Sequence, residues 1–177
     1  SNTAVGMNAM LHNTTGADSV AVGRNALYSN TTGIQNVAVG RNALYYGTTG
    51  NYNTCVGYRA LFNTTTGYEN TAMGRDTMLS NTTGHSNTAV GISALQENTT
   101  GLHNSAFGRH GLLYNTTGNY NTAIGAQALN YNSTGGQNCA IGFQPLFNNR
   151  TGSNNVALGV YALHYSNSPS HNTALGT

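Results

Sequence analysis

The stretch N-T-A-V-G-I-S-A-L-Q-E-N-T-T-G-L-H, residues 87–103, decides the fold because its pattern recurs along the whole chain every seventeen residues. Repetition at a fixed period is typical of stacked architectures, in which each repeat buries its apolar side against its neighbours. The consensus is N-T-A-V-G-x-x-A-L-x-x-N-T-T-G-x-x, and ten full repeats plus seven residues account for all 177 positions. Two glycine ranks begin at Gly6 and Gly16, and Pro169 takes the tenth place of the second rank.

Each repeat is predicted to form two short strands joined by two turns. Two glycines and an Asn-Thr-Thr cluster in seventeen residues disfavour a helical hairpin, whereas Thr-Ala-Val and Ala-Leu between turn residues are typical of strands. Glycine at a corner allows a positive φ or a close approach of two backbones. We therefore expect an all-β fold, a tandem-repeat β-solenoid (β-roll) with one 17-residue coil per repeat. About ten coils stacked at ~4.8 Å would form one continuous rod, residues 1–177, roughly 48 Å long.

Side-chain alternation along N-T-A-V places Thr and the large apolar residue on one face, and Asn and Ala on the other. The residue two before the first glycine of each repeat is Ala everywhere except at Cys55, and Leu or Met stands four residues after that glycine. Because Leu needs an apolar partner, we predict that the Val/Ile rank fills the interior and that the Ala rank lies outside. A small outer face either packs closely against a neighbouring chain or is simply a flat exposed sheet, and both alternatives are open.

Composition excludes several classes of partner. Charged residues make up 6% of the chain, there is no Lys, and the net charge is +2. No basic patch large enough to neutralise phosphates can form, so nucleic acid is not expected as a partner. No apolar run is long enough to span a bilayer, so membrane insertion is not expected. The chain begins and ends within the pattern, and we expect it to be an excerpt of a longer fibre.

The pattern N-T-A-V-G-x-x-A-L resembles the head repeats of trimeric autotransporter adhesins, whose coils carry N-S-V-A-I-G-x-x-S. It also resembles the N-T-A-x-G-x-x-A-L repeats of phage-like and viral tail-fibre proteins and of bacterial surface proteins. The resemblance runs from Asn2 to Gly176 and is strongest at residues 19–23 and 36–40. It implies a β-roll, often trimeric, in an extracellular appendage that binds surfaces or matrix. The seventeen-residue period and the N-T-T-G corner depart from the adhesin pattern.

The residues that could carry chemistry are dispersed by the repeat. Cys55 and Cys139 lie five coils apart, about 24 Å at strand spacing, which excludes a disulfide, and both are expected to be small buried residues. The six histidines show no metal-ligand spacing, and the four acids are too scattered for paired acid–base catalysis. We therefore predict no enzymatic activity, no catalytic residue, no cofactor and no metal site.

Two charge patterns follow from the register of the coils. Arg59 and Asp76 occupy the same place in adjacent coils, which predicts a cross-coil ion pair worth less than about 1 kcal/mol. Arg24 and Arg41 also share a place, so like charges would stack there and that rank must face water.

The Asn-Thr-Thr corner spells a run of candidate N-glycosylation sites, most of them on one corner that we expect to be exposed. Glycans there would keep a nearly uncharged rod soluble. The alternative is turn chemistry, in which Asn and Thr form hydrogen-bonded ladders along the rod. The eight candidate asparagines are Asn13, Asn30, Asn63, Asn81, Asn98, Asn115, Asn132 and Asn149.

Tyrosines collect after the Leu position, where they are expected to pack as ladders, with carbohydrate or partner-fibre binding as the alternative. They are Tyr28, Tyr45, Tyr46, Tyr114, Tyr131 and Tyr165.

The sequence as a whole predicts a structural protein of the cell or virion surface. We expect a segment of an extracellular fibre or appendage that forms filaments or mediates adhesion, self-associating as a homotrimer or end to end, with glycans or a cell surface as candidate partners. The alternative is a viral or phage-like tail-fibre binding module, which would carry a non-repeating patch. Ice binding is less favoured, because it would need a regular T-x-T array on one exposed face.

Overall fold

The computed structural model describes residues 1–168 and 170–176 as a single stack of parallel strands. The β-solenoid predicted from the repeat is confirmed, with one strand in each coil and no helix in the described residues. Pro169, the predicted substitute for a corner glycine, lies outside them. The strands are β1 (Thr3–Val5), β2 (Val20–Val22), β3 (Val37–Val39), β4 (Thr54–Val56), β5 (Thr71–Met73), β6 (Thr88–Val90), β7 (Ser105–Phe107), β8 (Thr122–Ile124), β9 (Cys139–Ile141), β10 (Val156–Leu158) and β11 (Thr173–Leu175).

All eleven strands form one sheet in sequence order, and each strand pairs with its neighbours without slippage. Ala4 lies beside Ala21, and the same register continues to Ala157 beside Ala174. Each side chain therefore has its counterpart seventeen residues away as its neighbour along the rod. We number the coils 1 to 11 after their strands.

The second strand predicted in each coil, at Ala-Leu, is wrong. The Leu/Met residue four after the first glycine adopts a positive φ, as at Leu95 (+51°), and so does the residue two before it, as at Ser93 (+55°). A strand requires a negative φ throughout. Hydrogen bonds still join the coils here, since Leu95 N–H donates to the carbonyl of Gly111 at 2.9 Å. The segment is therefore a turn that is hydrogen-bonded to the next coil, and not a strand.

The predicted orientation of the sheet is also wrong, because the Ala rank faces the interior and the Val/Ile rank faces outward. Ala21, Ala38 and Ala72 are fully buried, whereas Val56 is 39% exposed. The reason is space. A Cβ added at Gly111, which stands where most coils have Ala, would lie 3.7 Å from the Cβ of Ala106 across the interior. An Ala methyl at this place would already be in van der Waals contact with the opposite wall, so a Val side chain would not fit.

The core is therefore a column rather than a globule. In each coil it contains the Leu/Met residue and the small residues of the two walls, and these ranks form one continuous buried cluster from Met10 to Ala162. Neighbouring Leu/Met side chains can contact each other along the rod because the strand spacing is only about 4.8 Å.

The two glycine ranks serve their corners in different ways. Gly23 has a φ of +131°, and a Cβ there would lie 2.7 Å from the carbonyl oxygen of Gly40. Gly33 has no positive φ, but a Cβ there would lie 2.5 Å from the carbonyl oxygen of Gly50. Both predicted reasons for glycine at a corner are therefore observed. The first rank adopts a positive φ, and the second rank allows two backbones to approach closely.

Positive φ also explains which large residue the interior accepts. Three ranks of ten residues adopt φ of about +50° to +60°, and none of them contains Val, Ile or Thr. β-Branched side chains are strongly disfavoured in this region, because their second γ-atom crowds the backbone. We expect Leu95→Ile, which keeps the volume, to lower the free energy of unfolding by about 1–3 kcal/mol.

Leu95→Met provides the matched control, because Met78 occupies the equivalent buried place at φ +49°. Denaturant unfolding should show a loss below about 1.5 kcal/mol for Met. Equal losses for Ile and Met would show that backbone conformation does not select the side chain.

Candidate interaction surface and side-chain ladders

The outward side of the sheet is a long, uncharged surface, which we call the outer face. It presents two side chains per coil, the first and third residues of each strand, and no residue of the eleven strands is charged. The first residues form the hydroxyl row: Thr3, Val20, Val37, Thr54, Thr71, Thr88, Ser105, Thr122, Cys139, Val156 and Thr173. The third residues form the apolar row: Val5, Val22, Val39, Val56, Met73, Val90, Phe107, Ile124, Ile141, Leu158 and Leu175.

Large apolar side chains remain in water on this face. Val56, Met73, Phe107, Ile124 and Leu158 are 39–46% exposed. Contiguous apolar surface of this kind is uncommon on monomeric proteins and is typical of interaction sites. The apolar row varies in size and the hydroxyl row mixes Thr with Val, so the face is not the regular T-x-T array that ice binding was expected to need.

The Asn that precedes each strand forms a buried ladder inside the rod. Asn53 Nδ2 donates to Asn36 Oδ1 at 3.2 Å and to the carbonyl of Gly67 at 2.9 Å. Asn36 Oδ1 also accepts the backbone N–H of Asn53 at 2.9 Å. From Asn53 to Asn138, each carboxamide of this ladder uses both amide hydrogens and accepts two hydrogen bonds, which is what burial of a polar group requires. Ser19 replaces Asn in coil 2, and its hydroxyl accepts the N–H of Asn36 at 3.0 Å.

A second Asn ladder runs through the Asn-Thr-Thr corner. Asn98 Nδ2 donates to Asn81 Oδ1 at 2.8 Å and to the carbonyl of Gly101 at 3.0 Å. The following Thr supports the same corner, since Thr31 Oγ1 donates to the carbonyl of Thr48 at 3.0 Å. The turn ladder proposed for this corner is confirmed.

This second ladder buries most of the candidate glycosylation sites, so the expectation of an exposed corner is wrong for them. Asn13 and Asn63 are only partly buried, and Asn63 lies one residue outside the ladder. Asn13 Nδ2 donates to the carbonyl of Gly16, whereas Asn63 Nδ2 makes no hydrogen bond to another described residue. The fully buried sites are Asn30, Asn81, Asn98, Asn115, Asn132 and Asn149.

Aromatic side chains stack on each other along the edge, as predicted for ladder packing. The Tyr28 and Tyr45 rings lie 4.8 Å apart and are inclined by 2°, and the Tyr114 and Tyr131 rings lie 5.0 Å apart at 7°. Ring faces that cover each other are not open platforms for a sugar. Tyr46 and Tyr165 instead contact their neighbours edge-on.

One open groove departs from the repetition. It lies near the last coils and is lined by Asn148, Arg150, Tyr165 and Asn167. Tyr165 is 87% exposed, and the Arg150 guanidinium lies 5.8 Å from the centre of the Tyr131 ring. An exposed aromatic ring beside a guanidinium and amide groups can contact a polar ligand through both stacking and hydrogen bonds.

The charged residues occupy the places predicted from the register. Arg59 Nε lies 2.8 Å from Asp76 Oδ1, and Arg75 Nε lies 3.5 Å from Asp76 Oδ2. The cross-coil ion pair is confirmed. Arg24 and Arg41 are exposed, as their stacked like charges require.

The two cysteines are free thiols, in agreement with the predicted absence of a disulfide. Cys55 is fully buried in the Ala rank, and burial raises the pKa of its thiol, so it stays protonated and unreactive. Cys139 is not buried as expected but half-exposed in the hydroxyl row. Among residues 1–168 and 170–176, no three His, Cys, Asp or Glu side chains converge as metal ligands. The same residues contain no helix that could cross a membrane.

The second Asn ladder has a gap that makes it testable. Asn30 Oδ1 is buried without a hydrogen-bond partner, because the next coil has Gly47 where most coils have Asn. A buried acceptor without a donor costs about 1–3 kcal/mol. We expect Gly47→Asn to donate to Asn30 Oδ1 and to raise the free energy of unfolding by about 1–2 kcal/mol.

Gly47→Ala is the matched control, because it restricts the unfolded chain without supplying a donor and gains at most about 1 kcal/mol. Both variants need the Leu44 side chain to move, since an added Cβ would lie 2.8 Å from Leu44 Cγ. Equal unfolding free energies for the two variants would refute the ladder-filling argument.

Glycosylation itself stays a prediction, and the ladder specifies where it can occur in the folded chain. A glycan on Nδ2 of a buried ladder Asn would remove hydrogen bonds and force a sugar into the rod. After secretion from a glycosylating host, we expect intact mass to show at most one glycan on coils 2 to 10, at Asn63, lost in Asn63→Gln. Occupancy at Asn98 or Asn115 in folded protein would contradict this assignment.

Comparisons with known proteins supply no relative. No protein-family model and no curated protein matches the sequence, and no solved structure matches the fold.

Proposed function

We propose that this chain is a structural rod, a segment of an extracellular fibre or appendage on a cell or virion surface that forms filaments or mediates adhesion. The observation that best supports this proposal is that the stabilising interactions of the chain run along one axis. The buried cluster, the two Asn ladders and the sheet hydrogen bonds each join a coil to the coils directly before and after it. An architecture of this kind extends by adding coils without redesigning its core.

The low charge of the rod supports self-association as the mode of assembly, either side by side or end to end, with glycans or a cell surface as further candidate partners. Almost all exposed positions are neutral, so there is little like-charge repulsion between copies. The resemblance of the repeat to adhesin heads points the same way.

The second candidate function is a tail-fibre binding module, and the groove at Arg150 and Tyr165 favours it. This groove is the kind of non-repeating patch that specific recognition needs. In this alternative, the regular coils are a stalk that holds the groove away from the particle.

Images of isolated particles together with small-angle scattering test the structural proposal. We expect straight rods about 48 Å long, or multiples of that length where copies join. A compact particle would refute the rod. Loss of surface binding in Tyr165→Ala, with the rod unchanged, would favour the binding module over a purely structural role.

A further inference from the structure

We propose that the outer face packs against the outer face of a second copy of this chain in antiparallel orientation, about a two-fold axis that runs parallel to β6. The inference rests on the proposed structural role and specifies its partner and geometry. In this arrangement each coil faces the coil at the mirrored position, so that coil 2 faces coil 10 and coil 6 faces itself. Both copies use the same patch, as in any isologous contact, and each row faces the same row of the partner because the axis runs along the strands.

The polarity of the hydroxyl row is symmetric about β6. Coils 2 and 10 both have Val, and coils 3 and 9 have Val and Cys, so apolar side chains face apolar side chains. Coils 1 and 11, 4 and 8, and 5 and 7 all have Thr or Ser, and coil 6 has Thr88, which faces its own copy. The facing pairs are Thr3–Thr173, Val20–Val156, Val37–Cys139, Thr54–Thr122 and Thr71–Ser105.

This symmetry gives buried hydroxyls a partner. Thr54, Thr71 and Thr122 make no side-chain hydrogen bond to another described residue, so their hydroxyls are satisfied by water in the single chain. A hydroxyl can both donate and accept, so two facing Thr side chains can bond to each other when water is excluded. None of the five facing pairs puts a hydroxyl against an apolar side chain.

The sizes in the apolar row are complementary in the same register. The first four coils have Val, whereas the last four have Ile or Leu, so antiparallel packing opposes a smaller side chain to a larger one in these four pairs. Near the centre Met73 faces Phe107, and Met packs favourably against aromatic rings. The facing pairs are Val5–Leu175, Val22–Leu158, Val39–Ile141, Val56–Ile124 and Met73–Phe107.

A parallel pair fits less well. A two-fold axis along the rod would exchange the rows, so that the Thr54 hydroxyl would face the partner's Val56 side chain. Buried hydroxyls without a donor or acceptor cost free energy. Each coil would also face its own equivalent, so that Thr3 faces Val5 at one end and Thr173 faces the larger Leu175 at the other, which leaves a wedge-shaped gap between two straight rods.

The area of the face is sufficient for a specific contact. Ten strand spacings of about 4.8 Å and three residues of about 3.3 Å give a face of about 500 Å² on each copy. Two copies would bury about 1,000 Å² in total, which is at the lower limit for a specific interface. The exposed arginines, such as Arg75 and Arg109, lie beyond the strands at the margin, where water screens their charges.

Thiol crosslinking tests the register directly. In a Cys55→Ala background, Cys139 is the only thiol of each chain. In the proposed dimer the two Cys139 residues lie six coils, about 29 Å, apart along the rod, because each faces Val37 of the other copy. Adding Val37→Cys would place a thiol opposite the partner's Cys139 across about 10 Å. A short bismaleimide should then give at least about tenfold more covalent dimer with this variant than with the background. Peptide mapping should show the peptide that contains residue 37 joined to the peptide that contains residue 139.

The matched control is the variant Cys55→Ala/Cys139→Val/Ile141→Cys mixed with an equal amount of the background, because residue 141 of one chain faces Cys139 of the other only in a parallel pair. Preferential crosslinking of this variant, or equal crosslinking of the background, would overturn the antiparallel register.

Val90→Arg provides a second test in solution, because Val90 lies at the two-fold axis and two arginines would face each other. Sedimentation should show the dimer Kd raised roughly 100-fold, whereas Thr100→Arg on the exposed corner should leave it unchanged. Rods that stay monomeric at every concentration would overturn the dimer but keep the structural role. Compact particles would overturn both.

Discussion

The width of the interior is the constraint on which the rest of the structure depends. A seventeen-residue coil that closes with one three-residue strand leaves room for little more than methyl groups where its walls meet, since a Cβ added at Gly111 would lie 3.7 Å from the Cβ of Ala106. One Leu or Met per coil fills the wider part. The remaining interior is closed by Asn carboxamides, whose burial is stabilised because most of them bond to their counterparts in the neighbouring coils. Apolar packing and polar ladders are thus two parts of one column.

The same constraint selects residue types that composition alone would not explain. The chain must turn sharply enough to bring Leu95 back over the sheet, and it does so with positive φ at alternate residues. Leu and Met tolerate this conformation better than Val or Ile, so the interior rank is unbranched at Cβ. β-Branched residues, which favour strands, are found instead on the outer face.

Much of the fold could be predicted from the sequence, because a fixed period specifies which residues are neighbours. The stacked coils, the corner glycines, the free thiols and the Arg59–Asp76 pair follow from register alone. Alternation could not decide which face of the strand is inside, since it groups residues without stating the space available. Missing information about the interior also explains why Asn98 and its equivalents were predicted to be exposed. A polar residue in a turn sequence is usually exposed, and these asparagines are buried because they bond to each other in a ladder.

The inward Ala rank changes where a partner can bind. When Ala was expected outside, a neighbouring chain would have needed close backbone contact; the structure instead offers Val, Ile, Leu and Thr. β-Propensity accounts for the presence of these residues on a strand, and it would accept them in any order. It does not account for a hydroxyl row whose polarity is symmetric about Thr88, or for an apolar row that has Val in its first four coils and Ile or Leu in its last four. The antiparallel contact proposed between two copies would account for both orders, because it brings coils from opposite ends of the rod together.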